Sequence, residues 1–526
     1  MTTHGEEAGS AGDAGSVADT PVRCDRPVRT NGRVGRVDDG AGQGGGRTVP
    51  QAAHNAASVP LVVDLDGTLI RSDLLVETFF HAVGDDPRNG LRLLPALLRG
   101  KAAFKAAIAD AASIDASTLP FEQAVLDYIR RESALGRPVY LASASHADHV
   151  RAIADHLGLF TGWIASDGIV NLAGSAKAAR LVDMFGQGGF DYIGNSKADL
   201  PVWAVARRCI AINVDGRTRG RIAARHPDAE HLAPTPPSWK RWHKMLRVHQ
   251  YAKNGLVFVP LLTSHTINPG LILLALAAFV AFSFCASSVY IINDLVDLKS
   301  DRAHPRKRLR PLAAGLISPF AAIAVAALLL VTAFAIALAV GLNFTAVLLG
   351  YFLLTCAYSF SLKRKMLVDA IVLAMLYSIR VIGGSAAVGI WMSEWLLGFS
   401  MFVFTSLALV KRYTELSVRL DASLPDPSNR NYRVADLPIV ATLAAASGFN
   451  AVTVFALYVS SDSVRQLYRH PTLLWMICPI LMYWIARVLM LAHRRMMDDD
   501  PIAFALRDWR SCVCLCGIIA IMLAAS

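Results

Sequence analysis

Three aspartates, Asp294, Asp297 and Asp301, follow one another at intervals of three and four residues in NDLVDLKSDRAHPRKRLRPLAAG. A helix would present all of them on one face. Carboxylates this close repel one another and are costly at a membrane boundary, and a cation relieves both penalties. Oxygen ligands at that density suit magnesium, whose natural guest is a diphosphate: the ion neutralises the leaving group as its bond breaks. Arg302, Lys307, Arg308 and Arg310 supply phosphate partners in the same stretch. A second acidic pair, Asp64 and Asp66, stands directly after a β-branched run in LVVDLDGTL. A tight Gly67 turn would expose both carboxylates at the C-terminal edge of a sheet, where ligands bind. One can attack a phosphate while the other manages the leaving-group proton and magnesium screens the anion.

The elements around these acids fall into two regimes. Of 526 residues, 54% are hydrophobic and only 18% charged, beyond the usual soluble balance. The apolar excess begins near residue 255, in spans expected at 253–264, 270–292, 318–341, 344–361, 367–390, 395–410, 438–459, 472–492 and 509–526. The first is short enough to be tilted or re-entrant. Most Lys and Arg fall in alternate connections, 293–317, 362–366, 411–437 and 493–508, which places those loops and the N-terminal half in the cytoplasm of an inner-membrane, multi-pass protein. The net charge of +11 is thereby assigned to orientation, not to nucleic acid. Residues 59–220 alternate short strands (LVVDLDG, PVYLASAS, DYIGNS) with helical stretches, as in a soluble α/β domain with a parallel sheet. Residues 1–58, rich in Gly, Ala, Asp and Arg, are expected to stay disordered, and 221–245 reads as a basic linker before a membrane domain at 246–526. The eight cysteines have no zinc-type spacing and read as small packing residues.

The stretch from Asn293 to Gly315 resembles the first signature of the UbiA superfamily, NDxxDxxxDRxHPxKxxRPxAxG, at every specified position. The resemblance covers about 245–526 and implies a bundle of roughly nine helices around a central cavity open to the cytoplasm, with Asn293, Asp294, Asp297 and Asp301 near magnesium and Asp294 and Asp297 catalytic. RVHQYAKN, YSFSLKRKMLVD, SIRVIGG, LALVKRYTEL and NRNYRVADL resemble one branch, decaprenyl-phosphate phosphoribosyltransferase. That likeness implies substrate-binding roles for Arg247, Lys253, Asn254, Arg302, Lys307, Arg310, Tyr358, Lys363, Arg380, Lys411, Arg412 and Tyr432. Tyr251 and Val248 depart from that branch's usual Trp and Pro.

The wider superfamily usually carries a second, DxxxD-spaced aspartate stretch on the loop corresponding to 411–437. Here the aspartates are Asp421, Asp426 and Asp436, without that spacing, and Lys411, Arg412 and Arg433 add positive charge where an extra phosphate could bind. That favours phosphoribosyl diphosphate as donor and a polyprenyl phosphate lipid as acceptor. The alternatives are transfer from a prenyl diphosphate to an aromatic or other acceptor, and a non-catalytic lipid-binding protein.

Residues 59–215 resemble the haloacid dehalogenase-like phosphatases, a Rossmann-like α/β fold. The resemblance implies Asp64 as nucleophile, Asp66 as acid/base, Ser143 and Lys177 as phosphate-binding residues, a helical cap over 72–135, and a magnesium ion held by Asp64, Asp66 and Asp199. In GNSKAD, Asn195 stands where an aspartate ligand is common.

Overall fold

The computed structural model describes residues 59–526 apart from 87, 100–103, 106, 109–113, 167–171, 233–237, 265–267, 427–430 and 498–500. The segment expected to be disordered, 1–58, lies outside the described residues. From Leu61 to His231 the chain builds a six-stranded, wholly parallel sheet: β1 (Leu61–Asp64), β2 (Val139–His146), β3 (Gly162–Ser166), β4 (Asp191–Gly194), β5 (Arg208–Ala211) and β6 (Glu230–His231). Their order is β3-β2-β1-β4-β5-β6. β1 is buried on both faces, which is why LVVD reads as a continuous apolar run ending in an acid. Asp64 stands in register with Ala142 of β2, and Val63 with Ile193 of β4, so the turn after β1 opens where the winding direction reverses. The sheet reaches beyond the expected boundary at residue 220. Helix Gly216–Arg225 and the two-residue β6 still belong to it, although the helix buries only Thr218 and Ile222 and the strand carries no apolar run that a sequence reading could detect.

The second half is a helical membrane bundle. Seven helices among the described residues are long and apolar enough to cross a bilayer: Pro269–Val296, Pro319–Val340, Leu342–Phe360, Val368–Val388, Glu394–Asp421, Val434–Val459 and Pro471–His493. The expected count of nine is not reached. The segment anticipated as short is a 3-10 stretch, Val248–Phe258, followed by the five-residue helix Val259–Thr263, and Trp509–Ala525 has 17 residues. Val368–Val388 is 67% buried and lies at the centre, whereas Pro319–Val340 is 17% buried and faces outward.

Lipid gives no hydrophobic drive between helices, so close approach of small side chains holds them. Ala322, Ala326, Ala333 and Ala337 form the buried stripe of Pro319–Val340. Gly384 plays the same part for the 3-10 stretch: a Cβ there would overlap the carbonyl of Val257. This contact sets the depth of the segment that carries Arg247, Lys253 and Asn254. Gly384→Ala is accordingly expected to lower stability by about 1–3 kcal/mol. Gly350→Ala, whose Cβ would meet only Ile379 Cδ1 at 3.8 Å, should be neutral. Thermal unfolding of both variants in detergent checks the contrast.

Candidate functional site

In the front half the acids gather as the strand order requires. Asp64 ends β1 and accepts from Lys177 Nζ at 2.6 Å and Thr68 Oγ1 at 3.2 Å. Asp66, two residues on, accepts from the backbone amide of Leu74 at 2.7 Å and from the hydroxyls of Ser143 at 3.2 Å and Ser145 at 2.8 Å. Gly67 has φ +75°, and a Cβ there would overlap the amide of Asn195, so the turn demands glycine. Asn195 is thus brought beside the two acids from the end of β4. The structure thus brings Asp64, Asp66, Ser143 and Lys177, all expected from the sequence, to one place.

Asp199 reaches that centre through Tyr192, whose hydroxyl also lies 3.1 Å from Lys177 Nζ. Its Oδ1 accepts from Tyr192 OH at 2.8 Å, and Oδ2 from the amides of Asn195 and Ser196 and from Ser196 Oγ at 3.0–3.1 Å. Asp199 thereby also shapes the turn that presents Asn195. Thr68, Ser145 and Tyr192 were not anticipated. The repeated Ser in ASAS was the one available signal for Ser145.

Burial pushes the Asp64 carboxyl up to about 7, although the Lys177 cation opposes the shift. Burial likewise lifts Asp73, beside Asp66, to about 7. Burial alone would pull Lys177 down, but Asp64 and Asp199 outweigh it and hold its pKa above the ordinary value.

In the membrane half the acids share an edge but meet cations, not one another. Asp294 Oδ1 pairs with Arg247 Nη2 at 2.5 Å and Arg310 Nη1 at 3.1 Å. Asp301 Oδ2 pairs with the same Arg310 atom at 2.6 Å. Asp297 Oδ2 accepts from the Asn293 amide at 3.0 Å and lies 3.6 Å from Lys363 Nζ. Burial raises the Asp301 pKa despite Arg310. Arg247 adopts a left-handed backbone, φ +53°, and its guanidinium lies 4.9 Å over the Tyr290 ring. Among the described residues no three His, Cys, Asp or Glu side chains converge as a ready cation cage. Magnesium fits the donor set nonetheless: it prefers one or two carboxylates completed by water and substrate phosphates to an all-protein cage. Asp294 and Asp297 are placed to be those carboxylates.

The remaining expected residues sort by what their donors already hold. Arg380, 4% exposed, donates to Asn254 Oδ1 at 2.7 Å, Tyr351 OH at 3.0 Å and the Leu376 carbonyl, and Asn254 in turn donates to Ser283 Oγ at 3.0 Å. Arg412, 2% exposed, donates to Glu415 Oε2 at 2.5 Å and, weakly, to Tyr358 OH at 3.5 Å. Its Nε lies 2.7 Å from Asp369 Oδ2, an ion pair at an angle outside hydrogen-bond geometry. Tyr432 donates to Asp369 Oδ1 at 2.6 Å. Arg380, Arg412, Asn254 and Tyr432 thus tie the bundle internally, because a charge this deep needs polar partners where it lies. Lys253 is buried, 5.9 Å from the Tyr377 ring, and Lys411 and Lys307 are half-buried.

Arg302 departs most from expectation. It donates through Nη1 and Nη2 to Glu77 of the front half at 2.9 and 2.6 Å, and through Nε to the Ala313 carbonyl at 2.9 Å. A cavity at this seam, lined among others by Glu77, His81, Asp115, Val296, Lys299 and Arg302, contains neither acidic centre.

Comparison with known proteins follows this geometry. Residues 256–506 match the UbiA prenyltransferase family. An uncharacterized protein of Sinorhizobium fredii, y4nM, is 36% identical over 454 residues, 86% of this chain and 88% of its own length. The chain belongs to the UbiA prenyltransferase family. Nodulation protein NoeC of Azorhizobium caulinodans is 33% identical over 272 residues, 52% of this chain and 89% of that protein. Decaprenyl-phosphate phosphoribosyltransferase of Mycobacterium tuberculosis is 38% identical over 172 residues, 32% of this chain and 57% of the relative. A UbiA homolog from Archaeoglobus fulgidus, solved with GPP and Mg2+, is 15% identical, with a TM-score of 0.42 over 54% of this chain and 99% of that one.

This UbiA-family chain thus carries two acidic centres, and the front one makes a direct prediction. Infrared titration of the metal-free protein should show two carboxyls, Asp64 and Asp73, that ionise as pH rises through about 7, and Asp64→Asn should halve that step. Lys177→Met, by removing the cation that lowers Asp64, should move the Asp64 part of that step to higher pH.

Proposed function

We propose that the membrane domain transfers 5-phosphoribose from phosphoribosyl diphosphate to a polyprenyl phosphate lipid, with magnesium, at the cytoplasmic face of the inner membrane. The observation that carries this reading is the pairing of Asp294, Asp297 and Asp301 with Arg247, Arg310 and Lys363. Such a site is already neutral, and it can trade partners: carboxylates to the metal, guanidinium and ammonium groups to phosphates. The likeness to decaprenyl-phosphate phosphoribosyltransferase and the absence of a second DxxxD stretch support the donor assignment.

When bound, the metal supplies charge neutralisation of the departing diphosphate. Asp294 and Asp297 hold it at the edge of the bundle, with Asn293 fixing the Asp297 carboxylate. Arg247 and Arg310 bind the diphosphate, and Lys363 binds the sugar's 5-phosphate. An oxygen of the lipid phosphate attacks the anomeric carbon as the bond from that carbon to diphosphate breaks, and the electron pair leaves with the diphosphate.

The front domain is read as a phosphatase acting on a phosphate monoester, with the 5-phosphate of the ribosyl lipid as its substrate. Asp64 attacks phosphorus, Asp66 gives the leaving oxygen a proton and takes one from water, and Ser143 and Lys177 hold the phosphate oxygens. Asp64, Asp66 and Asp199 would hold the metal there, with Asn195 at the position where an aspartate ligand is common. A neutral amide binds magnesium less strongly than a carboxylate, so Asn195→Asp should lower the magnesium needed for half-maximal phosphate release.

Purified protein should consume phosphoribosyl diphosphate only when polyprenyl phosphate and magnesium are both present. Asp294→Ala with Asp297→Ala should reduce turnover by at least about a thousandfold, the scale of losing electrostatic stabilisation of a leaving group. Product formation from a prenyl diphosphate and an aromatic acceptor would replace this reading with prenyl transfer. Lipid binding that survives the double substitution without turnover in either assay would leave a binding protein.

A further inference from the structure

The front domain grips the connection that carries the membrane site's acids, and it does so at three points along it. At the start, Gly84 of helix Leu74–Asp85 abuts Val296: a Cβ on it would lie 2.8 Å from the Val296 carbonyl oxygen. In the middle, Glu77 of the same helix takes both terminal nitrogens of Arg302, and both side chains are 7% exposed. At the end, the turn at Gly315, φ +65°, packs so tightly that a Cβ would come 2.6 Å from Arg71 Cβ and 3.1 Å from Pro120 Cβ. Arg71 is itself fixed by Glu122 through two hydrogen bonds of 2.6 and 2.8 Å. Asp297 and Asp301 lie between the first and last of these contacts.

Glu77 is the chemically specific one. Ser72 donates to its Oε1, so the carboxylate is aimed before Arg302 arrives. Arg302 is the residue after Asp301, and its third nitrogen holds the Ala313 carbonyl across the same connection. A bidentate guanidinium–carboxylate pair fixes orientation as well as distance. Loss of either partner would leave the other buried and unmatched.

We propose that Glu77 is a positioning residue of the membrane active site, contributed by the front domain: by orienting Arg302 it holds Asp297 and Asp301 where they meet the metal and the diphosphate. The two domains are then one functional unit. The first turn of the same helix donates its Leu74 amide to Asp66, so one rigid element touches both acidic centres.

The kinetic part of the test rests on the transferase reading, and the exchange part does not. In the full-length protein in detergent, Glu77→Gln should speed hydrogen exchange of the amides in 298–316 by roughly tenfold while leaving the bundle helix Val368–Val388 unchanged. In the transferase assay it should raise the magnesium concentration for half-saturation and the KM for the diphosphate donor by about tenfold, the usual cost of losing a partner behind a metal ligand, with a smaller effect on kcat. Arg302→Met should act alike, and the double variant should be no worse than the worse single one, since both remove one contact. Glu77→Asp, which keeps the charge, should recover part of the protection and serves if Glu77→Gln does not accumulate. Unchanged exchange in 298–316 in Glu77→Gln, or multiplied losses in the double variant, would overturn the proposal whatever the substrate. Faster exchange in 298–316 in Glu77→Gln, with no transferase activity in the wild type, would uphold the clamp and sink the transferase reading instead.

Discussion

Charge matching at the edge of the bilayer is the constraint on which this structure turns. Uncompensated ions in an apolar bundle cost far more than a fold of ordinary stability can absorb. Deep charges here are met across helices by ions or by neutral polar groups: Asp294 by Arg247 and Arg310, Asp369 by Arg412, and Arg380 by the oxygens of Asn254 and Tyr351. These matches select which segments touch. The pair at Asp294 draws the residue before the 3-10 stretch onto the end of Pro269–Val296, and the Arg380 network draws the same stretch onto the central helix. The packing of glycine and alanine then allows the approach that the charges require.

Two kinds of buried charge result, and they differ in what they can exchange. Arg380 and Arg412 lie almost wholly out of reach of solvent and spend their donors on protein groups. Arg247, Arg310 and Lys363 are between 18% and 28% exposed and face carboxylates that a divalent ion could claim. The second group is where substrate chemistry belongs, because its ion pairs can be traded for others at little net change in charge.

The front domain obeys the same rule with different means. Its sheet supplies a fixed edge on which Asp64, Asp66, Ser143 and Asn195 meet, and Lys177 compensates the innermost acid. Because Glu77 and Gly84 of its first helix lie against Arg302 and Val296, the compensation of the membrane loop extends into the front half. An arginine of the metal signature is thereby matched by an acid more than two hundred residues earlier.

Much of this was readable from the residues in order. The acids at 294, 297 and 301, the pair at 64 and 66, the parallel α/β region and the apolar helices are all local patterns: spacing, alternation and run length report directly on helix face, strand and span. What the sequence could not rank was which of the many Arg and Lys side chains stay open. Arg302, Arg380 and Arg412 look like Arg247 and Arg310 along the chain, and only the fold decides that three of them are spent on Glu77, Asn254 and Glu415. Asp199 is the matching case among the acids, bonded to Tyr192 and to its own loop. The same holds for the extent of the sheet past residue 220, where two residues of β6 join by backbone pairing alone. Local chemistry fixes what a residue can do; the partners that decide what it does are brought from distant parts of the chain, and a hydrogen bond leaves no mark on the sequence that separates them.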